Sequence, residues 1–180
     1  NYQADLLHLP QTKQGYKYLF VITDLATRKF DIEPMKTTTS KESVEALKRI
    51  VKRNILTLPE VSIKTDGGAE FKDAFDTYLN KHKIYHSTAT ADRKTQMSFV
   101  ESLNRSLGKL IMNYLGSQET KIGKVYNEWT PILPIIRTEL NDFRERDIKD
   151  VKEQQQDSYF DSSIAGKPEF KVGDIVSMHY

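Results

Sequence analysis

The chain has 180 residues, of which 38% are hydrophobic, enough for one well-buried core and a short appendage. Its 27 basic and 25 acidic side chains leave a net charge of +2, so composition alone does not indicate a nucleic-acid-binding protein. The absence of cysteine excludes disulfides and cysteine-based zinc sites, and no apolar run approaches the roughly 18 residues of a membrane span.

Three strands joined by turns are predicted at the start of the chain. Apolar residues dominate 2–9, aromatic and β-branched residues fill 16–23, and a third such run covers 30–35. The turn-forming residues between these runs predict antiparallel pairing of neighbours. The sheet is therefore expected to begin as a three-stranded meander.

A helix, a strand and a second helix follow. Residues 39–42 have the capping-box pattern, and apolar residues continue from there at helical spacing as far as Ile55. The β-branched run 61–65 ends at Asp66-Gly67-Gly68, and residues 71–78 again have helical spacing. This pattern predicts a strand, a tight turn and a helix.

A fifth strand is predicted over 84–89, then a polar loop over 90–95 and a long helix. The proposed apolar stripe of that helix would place four other residues on a separate polar face. The stripe consists of Val100, Leu103, Leu107, Leu110, Ile111 and Tyr114, and the polar face of Glu101, Asn104, Arg105 and Gly108.

The last third of the chain is predicted to hold a core helix over 129–140, kinked at Pro134, and a polar helix or linker. The element order predicts an α/β fold, with a mixed sheet flanked by helices. The expected division is a main domain over 1–145, a polar helix or linker over 146–166, and a short strand-forming tail over 167–180.

Three acidic residues stand out as candidate metal ligands. Asp5 lies within the first strand, where aspartate is disfavoured; Asp66 ends the fourth strand; and Glu101 lies in the first turn of the long helix. If the first and fourth strands are neighbours, the three carboxylates can converge on hard divalent cations. Structural alternatives remain open: a solvent-facing Asp5, a turn signal at Asp66, and a capping box from Ser98 to Glu101.

Three motifs resemble those of retroviral-type DDE integrase cores. Tyr2 to Asp5 resembles the Trp-x-x-Asp opening, Lys64 to Phe71 resembles the Thr-Asp-x-Gly-x-x-Phe motif, and Val100 to Leu107 resembles the Val-Glu-x-x-Asn-x-x-Leu motif. Thirty-four residues lie between Asp66 and Glu101, one fewer than is usual in the family. The resemblance implies a five-stranded ribonuclease-H-like fold.

The resemblance covers roughly 2–140, and residues 170–176 resemble the start of the small C-terminal β-barrel that follows such cores in retroviruses, retrotransposons and Maverick/Polinton-type elements. Tyr2 replaces the usual tryptophan, and Met97-Ser98 stands where retroviruses favour Gln-Gly, which weakens the assignment to retroviruses proper. The chain begins without an initiator methionine, and the zinc-binding domain expected upstream is missing, so we expect it to be an excised piece of a longer protein.

The resemblance also implies a function. Asp5, Asp66 and Glu101 would hold two Mg²⁺ ions, with Mn²⁺ as a substitute, for trimming DNA ends and joining them to target DNA. Implied partners are DNA, a second copy or more of the chain and a host chromatin factor, with no membrane, in the host nucleus or in a virion or element particle. The candidate DNA-binding side chains are Arg93, Lys94, Gln96, Asn104, Arg105 and Lys109.

Two alternatives stay open: a ribonuclease-H-like nuclease that only hydrolyses, and an inactive, domesticated core used for dimerisation or interaction. His82 and His86 have a spacing that could ligate zinc on a helix, but a strand is expected to begin between them. Both histidines are therefore interpreted as structural.

Overall fold

A computed structural model describes residues 1–89 and 97–164, with side chains as far as residue 149. Its sheet has the order β3-β2-β1-β4-β5, in which β1, β2 and β3 pair antiparallel and β4 and β5 add parallel to β1. This confirms the predicted mixed sheet and its initial meander. The strands are β1 (Tyr2–His8), β2 (Tyr18–Asp24), β3 (Phe30–Met35), β4 (Ser62–Thr65) and β5 (Tyr85–Thr88).

Helices lie on both faces of the sheet. None of the helices within residues 1–89 and 97–164 combines the length and apolar composition needed to cross a membrane. Short 3-10 turns precede the second and fourth helices, at Ala69–Phe71 and Thr130–Ile132. The helices are α1 (Ser40–Arg53), α2 (Ala74–Lys81), α3 (Ser98–Ile122) and α4 (Leu133–Ile164).

Alternate residues of the strands supply two separate hydrophobic cores, because successive side chains of a strand point to opposite faces of a sheet. On one face, β1 residues such as Ala4 and Leu6 pack with α1 and α2. On the other face, β2 and β3 residues pack with α3, with Trp129 and with the start of α4. Asp5 alternates with Ala4 and Leu6, so its side chain lies on the α3 side.

The starts of α1 and α3 differ from the capping-box pattern. Thr39 caps α1 by accepting from the Glu42 amide at 3.4 Å, but the Glu42 carboxylate accepts from the amides of Lys36 and Thr37 rather than closing the box. The N-cap of α3 is Met97, which makes no side-chain cap. The alternative interpretation of Glu101 as a capping-box residue is therefore wrong.

The predicted helix from Trp129 begins later than expected. Pro131 lies in the 3-10 turn, and Pro134 is the second residue of α4, where the missing amide hydrogen leaves no helical bond unmade. Contacts within the chain define two compact units, Asn1–Glu145 and Arg146–Tyr180. The division into three segments stays a prediction, and the strand-forming tail lies outside the described residues.

Side chains from α1 and α4 cover the outer edge of β3. The Phe30 amide donates to Asn141 Oδ1, and the Phe30 carbonyl accepts from Asn141 Nδ2, both at 2.9 Å. The Ile32 carbonyl accepts from Arg53 and from Arg137, at 3.0 Å each. Both arginines also reach the fully buried Asp31, at 3.1 and 2.6 Å. The polar groups of this edge strand are thus bound within the same chain.

Candidate active site

Helix α3 lies along β1 with a simple register. The Val100 amide donates to Gln3 Oε1 at 3.1 Å, and Asn104 Nδ2 donates to Asp5 Oδ2 at 2.8 Å. One helical turn further, a Cβ added at Gly108 would lie 3.9 Å from Leu7. Alternate residues of β1 therefore lie against residues of α3 that are four apart, because strand side chains repeat every two residues and helix side chains about every 3.6.

This register corrects the predicted faces of α3. Asn104 is only 9% exposed and belongs to the inner stripe that contacts β1, not to an outward polar face shared with Glu101. Leu110, assigned to the apolar stripe, is 44% exposed. The outer stripe holds Glu101, Arg105 and Lys109, which follow at intervals of four residues and are all exposed.

Asp5 and Asp66 lie on neighbouring parallel strands. Gln3 of β1 pairs with Lys64 of β4, so Asp5 and Asp66 each lie two residues beyond a paired position. The Asp66 carboxylate accepts from the Gly68 amide at 3.0 Å, and Gly67 has a φ of +83°, which only glycine adopts readily. The predicted turn is present, and it directs the chain out of β4 rather than into a hairpin.

The pKa of Asp5 is raised to about 6, from an ordinary value of 3.8. Burial is the main cause, because it disfavours the charged carboxylate. The hydrogen bond from the Leu6 amide, at 2.8 Å, acts in the opposite direction. The negative charges of Asp66, Glu101 and Glu70 raise the pKa further. Both other candidate carboxylates are thus within electrostatic reach of Asp5.

The donor chemistry suits a divalent cation, although the side chains are not gathered around a single point. Among residues 1–89 and 97–149, no three acidic or histidine side chains are close enough together to hold one ion. Each oxygen of Asp5 accepts one hydrogen bond and keeps a further lone pair, and one oxygen of Asp66 accepts from Gly68. Hard divalent cations prefer carboxylate oxygens of this kind.

The candidate DNA-binding residues have different settings. Arg105 and Lys109 are exposed on α3, and in the described part of the chain neither forms an ion pair with a carboxylate. Asn104 is buried, and its donor is bound to Asp5. Arg93, Lys94 and Gln96 lie outside the described residues.

Sequence reasoning missed several polar residues around the site. Gln3 accepts a hydrogen bond from the Val100 amide at the start of α3, and Glu70 adds a third negative charge near Asp5, after Asp66 and Glu101. His86, which was assigned no role beyond structure, connects Asp76 to Thr65, the residue before Asp66. Period-two alternation could have placed His86 on one face with Ile84, but Asp76 lies on another element and gave no such signal.

A family model described as "Integrase core domain" matches residues 1–94, which is more than half of the 180-residue chain. The chain belongs to the integrase core domain family. The matched part of this integrase core contains Asp5 and Asp66, each in the structural setting described above. No match was found among curated protein sequences.

Solved structures similar to this integrase core are retroviral. The HTLV-2 integrase catalytic core domain, in complex with magnesium and in a dimeric form, gives a TM-score of 0.50 and 26% identity over 64% of this chain and 71% of that one. A simian T-cell lymphotropic virus intasome chain, from a complex with PP2A regulatory subunit B56 gamma, gives a TM-score of 0.56 and 23% identity over 64% of this chain. The alignment spans only 41% of that intasome chain.

The catalytic core domain of BIV integrase gives a TM-score of 0.51 at 15% identity, over 64% of this chain and 71% of that one. At such low identity the likeness concerns the fold alone. This integrase core therefore has the fold of retroviral integrase catalytic cores, in agreement with the ribonuclease-H-like architecture expected from its motifs.

Proposed function

We propose that the chain is the catalytic core of a DNA integrase that trims the 3′ ends of an element's DNA and joins them to target DNA. Asp5, Asp66 and Glu101 are the proposed catalytic residues and the ligands of two Mg²⁺ ions, for which Mn²⁺ can substitute. The observation that carries the proposal is geometric: the helix that carries Glu101 is bonded to Asp5 through Asn104, and Asp66 follows the strand that pairs with β1. The charges of Asp66 and Glu101 both raise the pKa of Asp5, in agreement with this arrangement.

Divalent cations would relieve this repulsion. Burial and three neighbouring negative charges destabilise the ionised form of Asp5 in the metal-free protein. A cation shared with Asp66 or Glu101 supplies the missing positive charge, and the HTLV-2 core of the same fold is described in complex with magnesium. When bound, two such ions activate the attacking oxygen and neutralise the leaving oxygen of a phosphodiester.

The chain's own residues orient the three carboxylates. The Leu6 amide and the Asn104 side chain each bind one oxygen of Asp5, which restrains its rotation in the sheet. The Gly68 amide restrains Asp66 in the same way. Glu101 is exposed, in the first turn of α3, and its carboxylate makes no hydrogen bond or ion pair within the described part of the chain. It is therefore the most adjustable of the three.

Exposed cations on α3 are suited to hold DNA beside the carboxylates. Arg105 and Lys109 follow Glu101 by one and two turns on the same outer stripe. Lysine and arginine contacts to phosphate position a duplex without reading its sequence. Arg93, Lys94 and Gln96 remain proposed DNA contacts, and Asn104 is proposed to act on DNA mainly through Asp5.

The proposal includes assembly. The HTLV-2 core of similar fold is described in a dimeric form, and the simian virus chain belongs to an intasome bound to B56 gamma. We accordingly propose that this chain acts as a homodimer or larger multimer on DNA, with a host chromatin factor as a further partner. The proposed location is the host-cell nucleus or the virion or element particle.

The test is incubation of the protein with labelled oligonucleotide duplexes in Mg²⁺ or Mn²⁺, with products separated on a denaturing gel. Glu101→Gln removes one ligand charge and is expected to abolish both end trimming and strand transfer. Glu139→Gln, at an exposed position of α4, is the matched control and should leave both activities unchanged.

Each outcome separates the proposed function from its alternatives. Products longer than the substrate demonstrate strand transfer and support an integrase. Cleavage without longer products, at all metal concentrations, indicates a nuclease that only hydrolyses. If wild type and Glu101→Gln give the same products or none, the core is not catalytic and an interaction module is indicated.

A further inference from the structure

A chain of hydrogen bonds lies beneath the proposed ligand Asp66, on the opposite face of the sheet. His86 Nε2 lies 2.9 Å from Thr65 Oγ1, and the other ring nitrogen, Nδ1, is bonded to Asp76 Oδ1. Thr65 Oγ1 in turn accepts from the Gly67 amide at 3.3 Å. The chain therefore connects α2, β5 and the end of β4, and it ends at the turn that carries Asp66.

With a neutral His86 ring, the donors and acceptors of this chain fit one arrangement of protons. A carboxylate can only accept, so Asp76 accepts from Nδ1–H of His86. In a neutral imidazole the other nitrogen, Nε2, is then an acceptor, and the Thr65 hydroxyl donates to it. The Thr65 oxygen keeps its lone pairs for the Gly67 amide. Asp76 thus fixes the tautomer of His86, and His86 fixes the direction of the hydroxyl.

An acid, an imidazole and a hydroxyl in this order also resemble a nucleophilic relay, but burial excludes that role. Thr65 is 0% exposed, so no substrate can reach its hydroxyl. The His86 side chain is 8% exposed, whereas the Asp76 side chain is 43% exposed and remains in contact with solvent. Among the residues that the structure describes, this chain of hydrogen bonds reaches the proposed site through the turn at Gly67.

That turn determines where the Asp66 carboxylate points. Thr65 binds the Gly67 amide, and Asp66 binds the Gly68 amide at 3.0 Å. Gly67 has a φ of +83°, and because glycine adopts this and many other conformations readily, hydrogen bonds are needed to restrain the turn. Without the Thr65 hydroxyl, the Gly67 amide loses this partner and the turn has fewer restraints.

We propose that His86, held by Asp76, is a positioning residue that acts through the Thr65 hydroxyl and the Gly67 amide to orient Asp66 for metal binding. The inference rests on the proposed function, because it assigns Asp66 the role of a ligand. It extends that function to three side chains of α2, β4 and β5 that do not themselves touch the metal or the DNA. Outer residues of this kind typically change metal affinity by roughly 10- to 100-fold when they are removed.

The test compares Thr65→Val with Thr65→Ser. Valine has the shape of threonine without the hydroxyl, whereas serine keeps the hydroxyl. The probe is Mn²⁺ alone, titrated by isothermal calorimetry, and hydrogen exchange of the Gly67 amide is followed by NMR in the metal-free protein. Thr65→Val should weaken Mn²⁺ binding by roughly tenfold and accelerate Gly67 exchange, and Thr65→Ser should stay within about twofold of wild type in both.

A second pair of variants serves if Thr65→Val does not fold. Asp76 is partly exposed, so its replacement disturbs the core little. Asp76→Ala removes the acceptor for Nδ1–H and should weaken Mn²⁺ binding by several-fold, whereas Asp76→Asn keeps an acceptor oxygen and should bind like wild type. Unchanged Mn²⁺ affinity in Asp76→Ala overturns the role of His86.

The failure of this inference is distinct from failure of the proposed function. If Asp66→Asn binds Mn²⁺ as tightly as wild type, Asp66 is not a ligand, and both the metal site and the positioning role fall. If Asp66→Asn loses binding but Thr65→Val keeps the wild-type affinity, the metal site stands and the positioning role is wrong. Unchanged Gly67 exchange in Thr65→Val also overturns the inference, whatever the metal does.

Discussion

Asn104 donates a 2.8 Å hydrogen bond from Nδ2 to Oδ2 of Asp5, so the helix that carries Glu101 is fastened to the strand that carries Asp5. The partner atom of the same amide, Asn104 Oδ1, is buried without a hydrogen bond among the described residues. This asymmetry follows from charge, because the ionised Asp5 can only accept. The pair predicts how substitutions at either end will behave.

Asn104→Asp should destabilise the metal-free protein at neutral pH. The substitution replaces the donor to Asp5 with a second carboxylate in a buried position, and we expect a loss of about 1–3 kcal/mol in the free energy of unfolding. Asn113→Asp makes the same chemical change at an exposed position of α3 and serves as the control. Urea unfolding followed by the fluorescence of the buried Trp129 measures both. Equal losses in the two variants would show that the contact with Asp5 is unimportant.

Asp5→Asn should stabilise the metal-free protein at pH 7. Because the folded-state pKa is raised to about 6 from 3.8, the folded protein binds the proton more tightly than the unfolded chain does. The free energy of unfolding therefore falls as pH rises from 3.8 to about 6, and the loss remains at higher pH. Asparagine removes the penalty, and a flipped Asn104 can present its unbonded Oδ1 to the new amide.

The expected gain for Asp5→Asn is on the order of 1–2 kcal/mol at pH 7 after allowance for solvent screening, and it should disappear below about pH 4. Thermal unfolding across pH 3.5 to 7.5 measures it. Addition of Mg²⁺ should reverse the order, since it stabilises wild type but not the variant. A gain that persists unchanged at low pH would exclude titration of Asp5 as the cause.

Gly67→Ala should destabilise the turn after β4. The residue has a φ of +83°, and an added Cβ would lie 3.4 Å from Thr88 Cγ2, so both backbone strain and crowding oppose a side chain. We expect a loss of about 1–2 kcal/mol. Gly116→Ala, in α3 with nothing within 4 Å of the added Cβ, should instead stabilise by about 0.5–1 kcal/mol. Chemical denaturation compares the two, and a loss for Gly116→Ala would contradict the helical explanation.

Asp31→Asn should be among the most destabilising single substitutions. The carboxylate is 0% exposed and lies between Arg53 and Arg137. Its loss removes the ion-pair partner of the half-buried Arg137, whereas Arg53 keeps Glu33. Removal of one partner from a buried ion pair typically costs about 3–5 kcal/mol. Glu45→Gln, which breaks an exposed ion pair with Lys48, should produce no measurable change. Similar urea midpoints for the two variants would refute the role of the buried network.

The initial meander was predictable from the sequence, whereas the adjacency of β1 and β4 was only a condition for Asp5 and Asp66 to converge. The meander and the following strand, helix and strand restrict the topology strongly, because connections are short and crossovers have one hand. Motifs in β1 and β4 then point to the neighbouring ends of adjacent strands. The position of Glu101 in the first turn of α3 follows from apolar spacing alone.

The inner face of α3 was not predictable in the same way. Periodicity assigns a residue to a face by its polarity, and Asn104 is polar although it lies inside. What determines its orientation is the alignment of α3 along β1, with Val100 at Gln3 and Asn104 at Asp5. This alignment depends on contacts between residues about a hundred positions apart, which local patterns do not contain.

The hydrogen-bonded chain through His86 escaped prediction for a related reason. Asp76, His86 and Thr65 lie on three different elements, and of the three only Thr65 belongs to one of the integrase-core motifs. Their contact depends on how α2 packs against β4 and β5. A single sequence indicates which residues can form such bonds, but only the packing of sheet and helices determines which of them meet.

The covered edge of β3 limits how copies of the chain can combine. Both polar atoms of the Asn141 side chain form hydrogen bonds with the backbone of Phe30, and two arginines donate to the neighbouring carbonyl of Ile32. A strand from another molecule would have to displace all three side chains before it could extend the sheet there. Assembly through β3 as a continuous intermolecular sheet is thus blocked, and growth into fibrils along that border is resisted by the same contacts.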